Sequence, residues 1–331
     1  ETLNNRLTDD KLDISDIGLV IIDEAHYNSF TKLFKFFSKS FILGVTATPL
    51  SSSIELPMTD NYDELIVGES IESLIENGFL ARAEMFTYNV GLTSLVVGAN
   101  GDYTVKSSED LYTDNDMLSK LLQAYEERAK GKKTLIFNNG INTSLHVYDT
   151  FRRAGYPIAH LDNTNTKKER ALILKWFKKT PGAILTSVSI LTTGFDEPTV
   201  ESIILNRATK SLTLYYQMIG RGSRILKDKR TFSVIDLGNN FHRFGPWGDD
   251  LDWQYYDLKN QLAEKKEAAE PGPAETAAGE RPVALGPAVR RSKSGTFAMD
   301  NKPVHDDFEA ERKVLRRRRK KKRSKRTSVE A

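Results

Sequence analysis

Short apolar runs alternate with longer amphipathic segments through the middle of this chain, and this alternation constrains its fold more than any other feature. Four runs have the length and the apolar, often β-branched character of buried strands, at 134–137, 183–186, 203–205 and 232–235. The segments between them repeat apolar residues every three or four positions, which is the period of a helix packed on one side. Alternating strands and helices predict a parallel sheet with crossover helices, and hence an α/β fold.

The ends of the predicted helices carry ordinary start and stop signals. Thr166 and Glu169 have the spacing of a capping box, which opens a helix. Gly155 follows a predicted helix at 144–154, and glycine is the usual residue just after a helix. A further helix, predicted at 212–219, separates the last two strands.

A second pair of strands precedes this block, and the first of them ends in acidic side chains. The run at 19–22 has no polar alternation, which predicts a strand buried on both faces. Asp23 and Glu24 follow directly, and the second predicted strand, 41–45, ends in hydroxyl residues. Ligands of parallel sheets bind beyond the carboxyl ends of the strands, so these side chains are placed to hold a metal ion and a water. The alternative is an ordinary solvated loop start.

Length and composition exclude several classes of protein. The 331 residues suffice for two domains, and 39% hydrophobic residues suffice for their cores. No apolar run approaches the roughly 20 residues of a membrane span, and no signal segment begins the chain. The absence of cysteine excludes disulfides and thiolate zinc sites. We expect a cytoplasmic protein, or a nuclear one in a eukaryote, without a membrane partner.

The positive charge is concentrated near the carboxyl terminus. Residues 312–326 hold twelve basic residues and no acidic ones, which leaves 36 basic against 45 acidic residues elsewhere. Such a run binds phosphate polymers without sequence preference. A solvated tail and a nuclear import signal are the alternatives.

Changes in composition suggest the domain limits. We predict a first domain over 1–90, a connection over 91–112 and a second domain over 113–245. The remainder, 246–331, is rich in proline, glycine, alanine and charge, and is predicted to be a mostly disordered tail. Because only 22 residues precede Asp23, we expect the chain to be part of a longer protein.

Four short motifs occur in a fixed order: DEAH at 23–26, TATP at 46–49, LTTGFDEP at 191–198 and QMIGRGSR at 217–224. With these motifs, residues 1–245 resemble the superfamily 2 helicases and translocases. The resemblance implies two RecA-like domains, the first incomplete here, that face each other across an ATP site. It further implies that both domains lie over a nucleic-acid strand.

The resemblance gives roles to the first two motifs. It implies that Asp23 holds Mg²⁺ and that Glu24 orients and deprotonates the water that attacks ATP. His26 would be a sensor, linked to Thr46 and Thr48 by hydrogen bonds. The alternative for His26 is a loop histidine whose hydrogen bonds are satisfied by its neighbours.

The last motif supplies positive charge. Arg221 and Arg224 lie three residues apart, hence on one side if the helix at 212–219 continues through them. They resemble the arginine fingers that the second domain offers to ATP held on the first. Together with Gln217 of the same motif, they complete the implied catalytic set, which is Asp23, Glu24, Gln217, Arg221 and Arg224.

The LTTGFDEP motif adds four residues. By resemblance, Gly194 permits close backbone approach and Asp196 lies near the ribose and the cleft. Thr192 and Thr193 would face the nucleic-acid backbone, although ordinary capping at a helix start explains such hydroxyls nearly as well. The implied ATP-binding set is Asp23, Glu24, Gly194, Asp196, Arg221 and Arg224.

The sequence lacks one part of the family pattern, the phosphate-binding P-loop G-x-x-x-x-G-K-[ST]. We expect this part to have preceded residue 1, so that the chain alone binds ATP poorly. The leading expectation is an ATP- and Mg²⁺-dependent motor on nucleic acid, with DNA favoured over RNA by the wording of the last two motifs. The alternatives are a non-enzymatic nucleic-acid-binding or docking module and the motor part of a restriction or repair complex.

Overall fold

A computed structural model describes residues 7, 13–27, 30–51, 58–188, 191 and 195–253 of the chain. Its strands, all in parallel sheets, are β1 (Leu19–Asp23), β2 (Phe41–Val45), β3 (Arg82–Thr87), β4 (Thr134–Asn138), β5 (Ile158–Leu161), β6 (Ile184–Val188), β7 (Ser202–Asn206) and β8 (Thr231–Asp236). Its α-helices are α1 (Thr31–Phe34), α2 (Ile71–Glu76), α3 (Val105–Tyr112), α4 (Asn115–Arg128), α5 (Ile141–Arg153), α6 (Lys167–Lys179), α7 (Leu212–Gly220) and α8 (Asn240–Phe244). The predicted α/β fold is confirmed.

The larger sheet has six parallel strands in the order β3-β8-β7-β4-β6-β5. All five residues of the central strand β4 are buried, as its continuous apolar run predicts. Leu135 and Phe137 pack into the core on one face, and Ile136 packs into the core on the other. The sheet is therefore covered on both faces.

Helices provide that cover. Tyr125 of α4 and Phe151 of α5 belong to one core, whereas Phe177 of α6 and Tyr215 of α7 belong to the opposite one. The capping box at Thr166 forms with both of its hydrogen bonds, and Gly155 ends α5 with φ of +85°. Among the described helices, none combines the length and hydropathy needed to cross a membrane.

The smaller sheet consists of β1 and β2, paired in parallel from Leu19↔Phe41 to Asp23↔Val45. The prediction that β1 is buried on both faces is wrong, because Ile21 is 63% exposed and Phe41 of β2 is 72% exposed. Side chains alternate along a strand, so the odd-numbered ones share one face, and the described elements leave that face open.

The predicted domain limit at residue 90 does not follow the sheets. β3 lies within 1–90, yet it pairs with β8 from Arg82↔Thr231 onward. Part of the predicted connection also belongs to this sheet, since Tyr112 of α3 is buried and its hydroxyl donates to the Leu237 carbonyl at 3.1 Å. Just before β3, the Ala81 N–H donates to the carbonyl of Ser223, in the segment after α7, at 2.7 Å.

The first residues of the predicted tail also belong to the folded part. Trp247 is buried, and its ring lies 6.2 Å from that of Phe232. Trp253 packs edge-on against Tyr216 at 5.7 Å. Aromatic burial thus extends the packed part of the chain past residue 245. The rest of the predicted tail, 254–331 with its basic run, lies outside the described residues.

Candidate functional site

A cleft of about 460 Å³ lies between the smaller sheet and helix α7 of the larger one. Side chains that follow β1 and β2 line one wall, and α7 with the segment after it lines the other. The predicted site residues that line it are Glu24, Thr46, Thr48, Gln217, Arg221 and Arg224.

The backbone at the end of β1 is unusual. Glu24 has φ of +51°, a left-handed conformation that residues other than glycine rarely adopt. Its N–H donates to the Asp23 Oδ1 atom at 2.9 Å, and the Ala25 N–H donates to the Val45 carbonyl at 3.0 Å. The first bond closes the turn on itself, and the second holds it against β2. Such strained residues occur at sites where the geometry of a side chain matters for function.

The carboxyl group of Glu24 has an altered proton affinity. Partial burial raises its pKa above the ordinary value, and the negative charge of Asp23 raises it further. The positive charge of Arg221, across the cleft, acts in the opposite direction. A carboxylate with a raised pKa is a better proton acceptor, which is the property required of a general base.

His26 connects the two walls of the cleft. It is 0% exposed, and its Nδ1 atom lies 2.8 Å from Thr46 Oγ1. Its Nε2 atom lies 3.1 Å from the side-chain amide nitrogen of Gln217. Burial lowers the pKa of His26, so the ring is neutral near pH 7.

These contacts determine where the imidazole proton lies. An amide nitrogen only donates, so Gln217 donates to Nε2, and Nδ1 carries the proton and donates to Thr46. The hydroxyl of Thr46 in turn donates to the Thr48 carbonyl at 3.2 Å. Nδ1 also lies 3.4 Å from Glu24 Oε2. A continuous chain of polar groups therefore runs from Gln217 on α7 to the carboxylate of Glu24, directly after β1.

The two arginines of the last motif are held differently. Arg221 donates through Nη1 to the Phe195 carbonyl at 2.7 Å, and its charge acts on Glu24. Arg224 donates through Nε to Asp196 Oδ1 at 3.0 Å and is 49% exposed. Helix α7 ends at Gly220, so the condition under which the two arginines would share one side of a helix is not met. Of the two guanidinium groups, that of Arg221 is the one coupled to the Glu24 carboxylate.

Most of the predicted site residues are thus brought together. The exposed Asp23 adjoins the cleft at the end of β1, and Asp196 reaches it through Arg224. Thr192, Thr193 and Gly194 lie outside the described residues, so their roles stay predictions.

Sequence reasoning missed the aromatic end of the cleft. Trp247, Trp253 and Tyr216 line it together with the apolar segment 65–67. A signal was present, because two of the three tryptophans in the sequence fall within seven residues of each other. The proline- and alanine-rich composition after residue 269 obscured this signal.

The donor set at the end of β1 fits Mg²⁺ bound together with phosphates. Among the described residues, no group of three or more His, Cys, Asp or Glu side chains could hold a metal ion. Mg²⁺ does not need such a cage, because one or two carboxylates suffice when phosphate oxygens and waters complete its coordination. The exposed carboxylate of Asp23 is a ligand of this kind.

Two family models match the chain. Residues 114–226 match the helicase conserved C-terminal domain, and residues 1–51 match the res subunit of type III restriction enzymes. The first match spans α4 to α7 and the second spans β1 and β2. The six predicted site residues that line the cleft therefore lie within the two matched regions.

Individual proteins show the same similarity. A 51.5 kDa protein of a Lactococcus phage is 30% identical over 242 residues, which cover 72% of this chain and 53% of the phage protein. The candidate ATP-dependent helicase IRC3 of Saccharomyces cerevisiae is 26% identical over 250 residues, 72% of this chain and 36% of IRC3. The chain thus spans about half of the phage protein and about a third of IRC3.

A solved structure has the same architecture. A fragment of a candidate HsdR subunit of a type I restriction enzyme from Vibrio vulnificus superimposes with a TM-score of 0.54 and 25% identity. The match covers 71% of this chain and 45% of that fragment. The similarity extends over more of the chain than either matched region alone.

Proposed function

Since this chain belongs to superfamily 2 of the helicases and translocases, we propose that it forms part of an ATP-hydrolysing motor that moves on nucleic acid. The hydrolysis site is the cleft between the smaller sheet and α7. The observation that carries this proposal is the neutral His26, which bonds to Thr46 on one wall and Gln217 on the other. A site divided between two sheets can convert hydrolysis into movement of one sheet relative to the other.

Glu24 is the proposed general base. Hydrolysis of ATP requires an in-line water that loses a proton as it attacks the γ-phosphorus. The raised pKa of Glu24 and its place on the cleft wall support this role. Asp23 would hold Mg²⁺, and the ion, when bound, neutralises charge on the phosphates.

Arg221 is the proposed arginine finger. Negative charge develops on the γ-phosphoryl group in the transition state, and a guanidinium group placed opposite the base stabilises it. The electrostatic coupling of Arg221 to Glu24 supports this role. Arg224 has a supporting part, because its Nε is engaged by Asp196. The outward-facing nitrogens of a half-exposed guanidinium group can still reach a phosphate.

His26 and Gln217 are the proposed coupling pair. Their hydrogen bond is a direct polar link between the DEAH turn and α7. His26 Nδ1 also lies near the Glu24 carboxylate. A movement or change of charge at this carboxylate can therefore shift the imidazole ring, and with it the Gln217 contact on α7. ATP binding and release could in this way alter the angle between the two sheets.

DNA is the proposed nucleic-acid partner. The family model matched by residues 1–51 describes a restriction-enzyme subunit, and the Vibrio vulnificus fragment is described as part of another one. Restriction enzymes act on DNA, which favours DNA over RNA. The same similarity favours a second candidate, the motor part of a DNA restriction complex. A restriction motor runs on intact duplex, whereas a helicase separates strands, so blunt duplex and tailed duplex would stimulate hydrolysis differently.

The proposal is tested by ATP hydrolysis in the full-length protein with and without single-stranded DNA. We expect DNA to stimulate the wild type, and Glu24→Gln to abolish turnover while ATP binding persists. Glu84→Gln is the matched control, because Glu84 is an exposed carboxylate on β3 that does not line the cleft. If Glu24→Gln retained more than about a tenth of the rate, the general base would lie elsewhere.

A further inference from the structure

Lys229 is a buried lysine directly behind the arginine-bearing segment. It is 8% exposed, and its Nζ atom donates to three backbone carbonyl oxygens. These belong to Gly222 at 2.7 Å, Arg224 at 2.7 Å and Pro198 at 3.1 Å. An ammonium group has three N–H donors, so this geometry uses all of them.

The three carbonyls come from two separate loops of the site. Gly222 and Arg224 belong to the segment after α7, which bears both predicted arginine fingers. Pro198 ends the loop whose Phe195 carbonyl and Asp196 carboxylate accept bonds from those arginines. One ammonium group therefore ties together the backbone of both loops, underneath the guanidinium groups.

Burial of an ammonium group carries a desolvation cost, which the three carbonyl bonds offset. The charged groups that face Lys229 are Glu201, at the start of β7, and Arg224. Lys227 and Asp228, on its own hairpin, are exposed. A methionine of similar length would fill the same space but could donate none of these hydrogen bonds. What distinguishes the lysine at this position is therefore its donation to the two loops.

We infer that Lys229 is a positioning residue, which fixes the backbone on which the guanidinium groups of Arg221 and Arg224 are mounted. The inference rests on the proposed ATP hydrolysis, because fixed arginines matter only where charge develops in a transition state. Displacement of a catalytic group by about 1 Å can lower a rate by about 100-fold. Lys229 touches neither the phosphates nor the water in this scheme.

The alternative is a lysine that only stabilises the hairpin at 226–229. The two roles differ in what a substitution changes. Loss of general stability would affect every property of the protein together. Loss of positioning would lower kcat, leave KM nearly constant and loosen the segment at 221–224 while the core of the sheet stays protected.

The experiment compares Lys229→Met, Lys229→Arg and Lys227→Met in the full-length protein, with DNA-stimulated ATP hydrolysis as the readout. We expect Lys229→Met to lower kcat about 10- to 100-fold with KM within about threefold. Lys227→Met, an exposed position on the same hairpin, should equal the wild type. Hydrogen exchange at amides 221–224 should accelerate in Lys229→Met, and exchange at β4 should not.

A pH profile adds a second readout. Burial lowers the pKa of Lys229 to about 8, so the ammonium group loses a donor proton as the pH rises through that value. Wild-type kcat should therefore fall between pH 7 and 9. In Lys229→Arg the guanidinium group stays protonated, so any activity that this variant keeps should be level over the same range.

Several results would overturn the inference. One is a Lys229→Met variant with wild-type kcat, and another is a variant with low kcat but unchanged exchange at 221–224. Failure of the proposed function would look different, since the wild type itself would then not hydrolyse ATP. Because exchange is measured without ATP, it tests the loop-fixing role even in that case.

Discussion

From the hydrogen bond between His26 and Gln217 we predict a measurable coupling between the effects of substitutions at these two residues on the free energy of unfolding. A neutral side-chain hydrogen bond contributes about 0.5–1.5 kcal/mol to stability, and a partner left without its bond costs about 1–3 kcal/mol. His26→Ala and Gln217→Ala each break the same 3.1 Å contact. The double variant loses this contact once and not twice, so its destabilisation should be about 1 kcal/mol smaller than the sum of the two single values.

Urea unfolding at pH 7.5 measures this coupling, provided that the dependence of the unfolding free energy on urea stays the same in all variants. The matched control uses the variant Gln123→Ala in place of Gln217→Ala. Gln123 is an amide on α4 that bonds to Glu127 and not to His26. His26→Ala and Gln123→Ala should be additive. A coupling below about 0.3 kcal/mol for His26 and Gln217 would show that the contact does not join the two walls in solution.

The same histidine predicts a dependence of stability on pH. Burial lowers the pKa of His26 in the folded state below its ordinary value of 6.5. As the pH falls through 6.5, the unfolded chain therefore binds a proton that the folded chain does not, and the free energy of unfolding decreases. Between pH 7.5 and 5.5 the wild type should lose more stability than His26→Ala. Equal losses would refute the buried, neutral ring.

Two further predictions concern segments outside the motifs. Trp247→Ala should destabilise the protein by about 3–5 kcal/mol in urea unfolding, because the ring is buried in the core against Phe232. A loss of stability below about 1 kcal/mol would contradict that packing. Deletion of 312–326, with its twelve basic residues, should flatten the salt dependence of single-stranded DNA binding if this run contacts phosphates. If the salt dependence is the same with and without the run, the run is a solvated terminus or a nuclear import signal.

Local patterns were sufficient to predict most of the larger sheet. The apolar runs at β4, β6, β7 and β8 are continuous because helices cover both faces, so burial and sequence agree there. β3 was assigned to the first domain because its partner, β8, is the last strand of the predicted second domain and lies far from β3 in the sequence. The continuous run of β1 resembles that of β4, yet one of its faces is open. The apolar sequence of a strand does not by itself indicate whether other elements cover both of its faces.

The site was predictable in its residues and in the contact of His26 with Thr46, but not in the contact that joins its two walls. The motifs identified Glu24, His26 and Arg221, because their spacing is tied to the chemistry of the resembled family. No spacing predicts that His26 meets Gln217, since 191 positions separate them. Lys229 has no motif of its own, and only the three carbonyls around it reveal its position in the site.

The kinetics of Arg221→Ala in the full-length protein, with saturating single-stranded DNA, show whether the hydrolysis site is shared between the two sheets. We expect kcat to fall about 10³-fold while KM changes less than about threefold, because a finger acts on transition-state charge. Arg224→Ala should lose less, since its Nε is already bound to Asp196 at half exposure. An unchanged kcat in Arg221→Ala would contradict the shared site.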